Sequence, residues 1–382
     1  MSLATMQEFR VSFRDRAAGF DWVLVLLLSL ISSFGFVLLY SAANGSFDPW
    51  AGRQMIRFGI GLGLMAAVAL VDLRYLMLLA YPTYGLALGL LVYVDIAGEI
   101  GMGAQRWIDL GVFQLQPSEM LKLALVMALA RYFHRLPFEA IGRPLRLVIP
   151  IVLVLAPTGL VLVQPDLGTA GTLLLVSAAI FFLAGVRWWK FAIVAAAAAA
   201  VVPLGWQFLH EYQKNRLLTF INPEADPLGA GYHIMQSKIA FGSGGLFGKG
   251  FLAGTQSHLN FLPERQTDFI FTMLAEEFGL VGCGTLLLLY GLLFAYGFAL
   301  AWRCRNQFGR LLVLGLTANL SVYVFINAAM TMGLIPVVGV PLPLVSYGGT
   351  AMLTILIGYG LVAAVQVNER VRGGRVGAGE EG

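Results

Sequence analysis

Charged side chains are scarce. They make up 12% of the 382 residues, against about 25% in a soluble domain. Apolar residues make up 58% and recur in long runs, each close to the ~20 residues a membrane-crossing helix needs. An ordinary soluble fold is thereby excluded, although the chain is long enough for two soluble domains. The net charge of +4 does not indicate nucleic acid, because the charges lie in short loops between apolar runs, as membrane topology requires. The two cysteines, Cys283 in an apolar run and Cys304 in a basic loop, form no disulfide framework and no metal-type spacing. The four histidines (His134, His210, His233, His258) make no zinc pattern. There is no internal repeat, no low-complexity tract beyond the alanines at 195–200, and no G-x-S-x-G elbow. Gly248-Lys249 fails as a phosphate loop, since Ser243 replaces the first glycine and Gly250 the Ser/Thr. Gly101-x-Gly103 fails as a dinucleotide fingerprint, because Arg106 occupies the last glycine's position. Trp22–Tyr40 is too long for a signal-peptide core and no A-x-A-like site follows, so it is expected to be an uncleaved first span.

Ten spans can be drawn, at about 21–41, 54–71, 74–94, 115–133, 146–164, 168–186, 189–208, 268–300, 310–332 and 347–367. The expected fold is therefore an all-α polytopic membrane protein. It would be a single transmembrane domain over 1–370 with a disordered cytoplasmic tail at 371–382. Arg10, Arg14, Arg16, Arg74, Arg131, Arg135, Arg143, Arg146, Arg187, Lys190, Arg303, Arg305, Arg310, Arg370, Arg372 and Arg375 fall on one side, whereas the short loops opposite hold Arg53, Arg57 and Arg106. The positive-inside rule makes the first side cytoplasmic, with both termini inside. Residues 207–267 become a large periplasmic loop, polar and glycine-rich. Within it, Tyr232–Phe241 spaces apolar residues as a short interfacial helix would. Gly101–Pro117, Gln164–Gly168 and Pro336–Gly349 join it on the outer face and could enclose a cavity.

The long loop ends at Leu262-Pro263-Glu264-Arg265-Gln266-Thr267-Asp268, where an apolar run begins. An aspartate is thus fixed where water meets bilayer. Thr267 or Asp268 could be an ordinary N-cap, or Asp268 a general base at the membrane edge. Glu276 and Glu277 lie about 12 Å deeper by helical rise, where acids are costly and face the protein interior. Arg106, Glu119 and Lys122 form a second cluster. Glu119 and Lys122 are close enough to pair on one helix, and Arg106 suits a phosphate. The plain alternative is a neutralised structural pair. Asp166, after Gln164-Pro165, reads as structural, and Ser346-Tyr347-Gly348-Gly349 as a close-packed helix start, with a backbone-amide anion site as the alternative.

Together these segments resemble the SEDS family (shape, elongation, division and sporulation), most closely its RodA branch. The matching pieces are Gly103-Ala104-Gln105-Arg106-Trp107-Ile108, Gln116-Pro117-Ser118-Glu119-Met120-Leu121-Lys122, Gln164-Pro165-Asp166-Leu167-Gly168-Thr169, Gly250-Phe251-Leu252-Ala253-Gly254-Thr255-Gln256-Ser257, the Leu262–Phe271 segment, and Pro343-Leu344-Val345-Ser346-Tyr347-Gly348-Gly349. They run in the family's order over about residues 20–370. Gln266 stands where many relatives have histidine, but Asp268 is retained.

The resemblance implies a peptidoglycan glycosyltransferase of cell elongation that polymerises lipid II on the outer face of the inner membrane. It also implies pairing with a class B penicillin-binding protein and other elongation-complex membrane proteins. Asp268 matches the family's essential aspartate. Arg106, Glu119 and Lys122 match polar cavity positions, with Arg53 a weaker match. The chemistry is a single inverting displacement in which Asp268 would be the base. Arg106 and Lys122, with Lys238, Lys249 or Arg265, would stabilise the pyrophosphate, and Glu264 is included as a substrate-side residue of the same motif. A divalent cation such as Mg2+ is a candidate helper without a sequence-defined site. The rival expectations are a lipid II flippase and a non-catalytic scaffold. An intramembrane protease lacks the paired aspartates or serine-histidine arrangement it would need.

Overall fold

The computed structural model describes residues 21–101, 104–109, 111, 114–205, 207, 214, 218–220, 222, 230–259, 261, 262 and 264–378. Arg10, Arg14, Arg16, His210, most of 208–229 and Pro263 lie outside them. Ten long helices occupy the ten expected spans: α1 Trp22–Ala42, α2 Ala51–Ala69, α3 Leu73–Ala97, α4 Pro117–His134, α6 Pro144–Val163, α7 Leu167–Ala184, α8 Trp188–Gly205, α11 Ile270–Arg303, α12 Gln307–Thr331 and α13 Gly349–Ala378. Short helices α5 Phe138–Ile141, α9 Ala230–Gly244 and α10 Thr255–His258 sit between them. Seven of the ten are long and apolar enough to cross a membrane on composition alone. Arg53, Gln54 and Arg57 lower the apolarity of α2, and Glu119, Lys122 and Arg131 that of α4.

Lipid-side and core-side residues separate along most helices. On α3 the buried positions Leu73, Leu76, Ala80, Tyr84, Ala87, Leu91 and Val94 recur at helical spacing, while Leu78, Leu79 and Leu86 are exposed. That is the pattern of a helix with one face on protein and one on lipid. By contrast α4 and α12 are buried on nearly all sides and form the centre of the bundle. Helix α12 packs on α4, α7 and α11, and α13 lies along α2.

Four features differ from the sequence expectation. First, the loop after α3, expected to be irregular, contains a small antiparallel meander: β1 Glu99–Gly101, β2 Ala104–Asp109 and β3 Gln114–Leu115. Second, α9 is present where a short helix was expected, but Ile234, Ser237, Ala240 and Gly244 bury one face of it. It packs against α11 rather than standing free in the interface. The Ser237 hydroxyl reaches Thr331 O at 2.6 Å and Thr272 Oγ1 at 2.7 Å.

Third, α11 is broken. Gly279 has φ 64° and ψ −158° inside it, a region open essentially to glycine alone. The chain at 244–250 docks into the break. Leu280 N and Val281 N donate to Gly245 O and Leu246 O at 3.0 Å each, while Lys249 N and Gly250 N donate to Glu276 O and Glu277 O at 2.9 and 3.1 Å. A Cβ at Gly244, Gly248 or Gly279 would collide with the facing backbone. These glycines therefore let one backbone satisfy another where no water is available to do so. Fourth, α13 runs to Ala378, so the tail expected to be disordered from 371 continues the helix. Residues 371–378 contain no proline that would stop it.

Candidate active site

Asp268 lies in the turn between Leu262 and Ile270. The N-cap position of α11 falls on Phe269, one residue after Asp268 and two after Thr267. Thr267 donates its hydroxyl to Glu264 O at 3.2 Å and to Glu264 Oε2 at 2.9 Å. Glu264 itself sits at φ 57°.

This turn is fastened to a second loop, 332–348, which joins α12 to α13. Tyr347 N donates to Gln266 O at 2.8 Å. The Ser346 hydroxyl donates to Thr267 O at 2.6 Å and accepts from Leu342 N at 2.7 Å. Asn327, fully buried on α12, donates to Asp268 O at 3.0 Å and to Val340 O at 2.8 Å. Leu344 is buried at φ 66°, a conformation that costs a bulky residue about 1–3 kcal/mol unless its surroundings enforce it. Gln54 of α2 braces the same loop, donating to Ser346 O at 3.0 Å and accepting from Gly348 N at 3.4 Å. Gly339 faces the aspartate directly: a Cβ there would stand 3.5 Å from Asp268 Oδ2.

Below this lies the Glu119–Lys122 pair. Lys122 Nζ donates to Glu119 Oε1 at 2.6 Å and to the Tyr323 hydroxyl, and stands 4.0 Å over the Tyr323 ring. Both charged residues are buried, Lys122 to 3% exposure. Glu119, Lys122, Asn319, Tyr323 and Ser346 contribute to the lining of a cavity of about 30 Å³. That is room for one or two waters, so a sugar can enter only if the site opens. Ser346 belongs both to the cavity wall and to the Asp268 fastening, which makes the two regions one site.

Arg106 is elsewhere in its bonding. From β2 it donates to Gln164 O (3.3 Å) and Pro165 O (3.0 Å), and pairs with Asp166 Oδ2 at 3.5 Å. The expected Arg106–Glu119–Lys122 cluster is thus two units. β2 leads the guanidinium to the 164–166 turn, while the pair on α4 is satisfied internally. Asp166 does the structural work anticipated for it, capping α7 through Thr169 N and Thr169 Oγ1, each at 3.0 Å.

Glu276 and Glu277, just before the break in α11, hold the glycine-rich loop. Glu276 Oε1 accepts from Lys249 Nζ (2.8 Å), Thr255 Oγ1 (3.1 Å) and Gln256 N (2.9 Å). Glu277 Oε1 meets Ser41 Oγ at 2.5 Å and His258 Nε2 at 3.1 Å, and His258 Nδ1 meets Asn44 Oδ1 at 2.6 Å.

The profile of the cell cycle protein family that takes in FtsW, RodA and SpoVE matches residues 21–371. The chain belongs to the FtsW/RodA/SpoVE family. It is 45% identical over 362 residues to the peptidoglycan glycosyltransferase MrdB of Escherichia coli K12, covering 94% of this chain and 96% of that protein. It is 31% identical to the peptidoglycan glycosyltransferase RodA of Treponema pallidum, covering 92% and 98%. Among solved structures it is similar to a chain of a peptidoglycan synthase complex described as coordinating polymerization and crosslinking, with TM-score 0.80 and 37% identity over 92% of this chain and 98% of that one. It also matches the rod shape determining protein RodA of Thermus thermophilus, with TM-score 0.69 and 35% identity over 91% and 96%. The resemblance drawn from the motifs therefore holds across nearly the whole chain.

The other residues named from sequence lie on separate elements. Arg53 is exposed on α2. Lys238 lies on α9 with its stem against Gly333. Lys249 is engaged by Glu276. Arg265 is buried to 9% exposure, and that burial pushes its guanidinium pKa down. Among the described residues no group of three or more His, Cys, Asp or Glu could hold a metal ion. The neutral residues Gln54, Tyr323 and Asn327 were missed. Their signal was an amide or hydroxyl within a span, which is costly there unless paired.

Proposed function

We propose that this chain polymerises lipid II on the outer face of the cytoplasmic membrane, with Asp268 as general base. It is a multi-pass membrane protein and a peptidoglycan glycosyltransferase, on its likeness to MrdB and RodA over more than nine-tenths of its length. In the proposed reaction Asp268 takes the proton from the acceptor sugar hydroxyl. The freed oxygen attacks the anomeric carbon of the α-linked donor, and the bond to pyrophosphate breaks. Undecaprenyl pyrophosphate leaves with the electron pair, and the new link is β. The observation that carries this role is the fastening of the Asp268 turn by three hydrogen bonds from 327–347, which fixes the aspartate's backbone beside the loop that carries Gly339.

The developing negative charge falls to Arg106 and Lys122, with Lys238, Lys249, Arg265 and Arg53 as further candidates and Glu264 on the substrate side of the turn. Arg106, Lys122 and Lys249 each already face an acid. Their use would require the pyrophosphate to replace Asp166, Glu119 or Glu276. Among the described residues the metal-type side chains do not form a cation site, so no step is routed through one. Mg2+ would be held mainly by the pyrophosphate itself, and synthesis in excess chelator measures that need. A class B penicillin-binding protein is the proposed partner, supported by the likeness to a chain of a synthase complex.

The broken helix at Gly279 favours one second reading, since lipid and solute transporters use discontinuous helices. The purified chain, with and without its partner, separates the two. Glycan formed from lipid II supports the polymerase, and leaflet transfer without polymer supports the transporter. Substantial glycan from Asp268→Asn protein would sink the base assignment.

A further inference from the structure

We infer that Asn327 is a positioning residue for the glycosyl transfer, acting through the backbone of Asp268. The inference rests on Asp268 being the base. Asn327 is fully buried in the centre of the bundle. Its amide donates both hydrogens, to Asp268 O at 3.0 Å and Val340 O at 2.8 Å. The two acceptors come from separate loops, 262–269 and 332–348, which Ser346 and Tyr347 also fasten to each other. One planar amide therefore sets the spacing between the aspartate's own peptide and the strand of chain that carries Gly339. Gly339 in turn faces Asp268 Oδ2 with no side chain between.

Three further details make this more than a generic buried asparagine. The two loops hold the backbone at positive φ on non-glycine residues, Glu264 and Leu344, so they do not relax to this geometry unaided. The carbonyl oxygen of the Asn327 side chain is buried without a hydrogen-bond partner. A polar atom left unsatisfied is tolerated where the rest of the group is needed. Finally, Tyr323 is one turn away on α12 and holds Lys122. The helix that places Asp268 is also the helix that places the buried cation.

Removing the amide deletes both bonds and unties the Asp268 peptide from α12. A displacement of about 1 Å at a reacting group costs about 100-fold in rate. The test compares Asn327→Ala, Asn327→Ser and Asp268→Asn in the purified full-length chain with its penicillin-binding protein, reading kcat and KM for lipid II polymerisation and thermal stability in detergent. Asn368→Ala is the control. Asn368 also donates one amide to two carbonyls, Val71 O and Ala364 O, but at the cytoplasmic end of α13.

The expected result is a kcat lowered by about 10- to 100-fold in Asn327→Ala with KM within about twofold. Asn327→Ser, which keeps one donor, should be intermediate, and Asn368→Ala should retain wild-type turnover. If Asn327→Ala does not fold, Asn327→Ser decides by the same split. A kcat within twofold of wild type while Asp268→Asn is inactive overturns the inference and leaves the base assignment standing. Equal losses in Asn368→Ala and Asn327→Ala also overturn it, since the effect would then be general destabilisation. Activity in Asp268→Asn removes the base and this inference together.

Discussion

The Lys249–Glu276 pair separates a structural role for Lys249 from the substrate role its sequence suggests. The Glu276 side chain is fully buried, whereas that of Lys249 is 26% exposed. Lys249→Met takes the ammonium from a buried carboxylate, whose remaining donors include Thr255 Oγ1 and Gln256 N. Breaking a buried pair from one side costs about 3–5 kcal/mol, and the partial exposure of Lys249 argues for the lower end. About 3 kcal/mol is roughly a 100-fold rise in local opening. Glu276→Gln keeps the shape and an acceptor, and its stranded ammonium can reach water, so about 1–1.5 kcal/mol, roughly tenfold, is expected. The double variant should open less than Lys249→Met alone, because the lone buried charge is gone. Hydrogen exchange of peptides spanning 245–259 reads all three. The reasoning is refuted if Glu276→Gln loosens the loop more than Lys249→Met. It is equally refuted if Lys249→Met leaves exchange unchanged and only raises KM for lipid II.

Gly279→Ala places a side chain at φ 64° against Leu246 O and Gly248 N; we expect a loss above about 3 kcal/mol and little protein in membranes, and normal accumulation would refute the docking of 244–250 at the break. Asp166→Asn keeps the capping acceptor for Thr169 N but removes the Arg106 ion pair, so thermal stability should fall by about 1 kcal/mol or less, whereas Asp166→Ala should lose a further ~1 kcal/mol with the cap. Lys122→Met should lower polymerisation strongly and Tyr323→Phe less, because the ring under the ammonium remains; unchanged turnover in Lys122→Met would make the Glu119–Lys122 pair purely structural.

The membrane fold was largely legible because burial in lipid leaves so strong a mark. Ten helices stand where the apolar runs predicted them, α2 and α4 included despite their charged residues, and seven of these are apolar enough to cross a membrane. Composition could not show contact between distant backbones. The break at Gly279 depends on a partner about thirty residues upstream, and a glycine in an apolar run does not reveal whether another chain will dock there. Arg106 was grouped with Glu119 and Lys122 by nearness in sequence, but a turn of β-meander sends it to 164–166. Asp268 drew attention in the sequence because a carboxylate at a membrane edge is conspicuous. Asn327 was passed over because a neutral amide in a span carries no such mark until its acceptors are known.

The site owes its unity to α12. Tyr323 and Asn327 are four residues apart, so they stand one above the other on the same helical face. The upper one ties together the two loops around Asp268, and the lower one holds Lys122 on α4. Both side chains are buried, where losing a partner is costly, so each stays with its protein partners. Between them, Ser346 closes the circuit by lining the Lys122 cavity while bonding Thr267 O. A movement of α12 against α4 therefore cannot reach one charged group without reaching the other. Enlarging the small cavity would therefore also shift the loop that holds Asp268, so under the proposed reaction admission of a sugar and placement of the base are coupled.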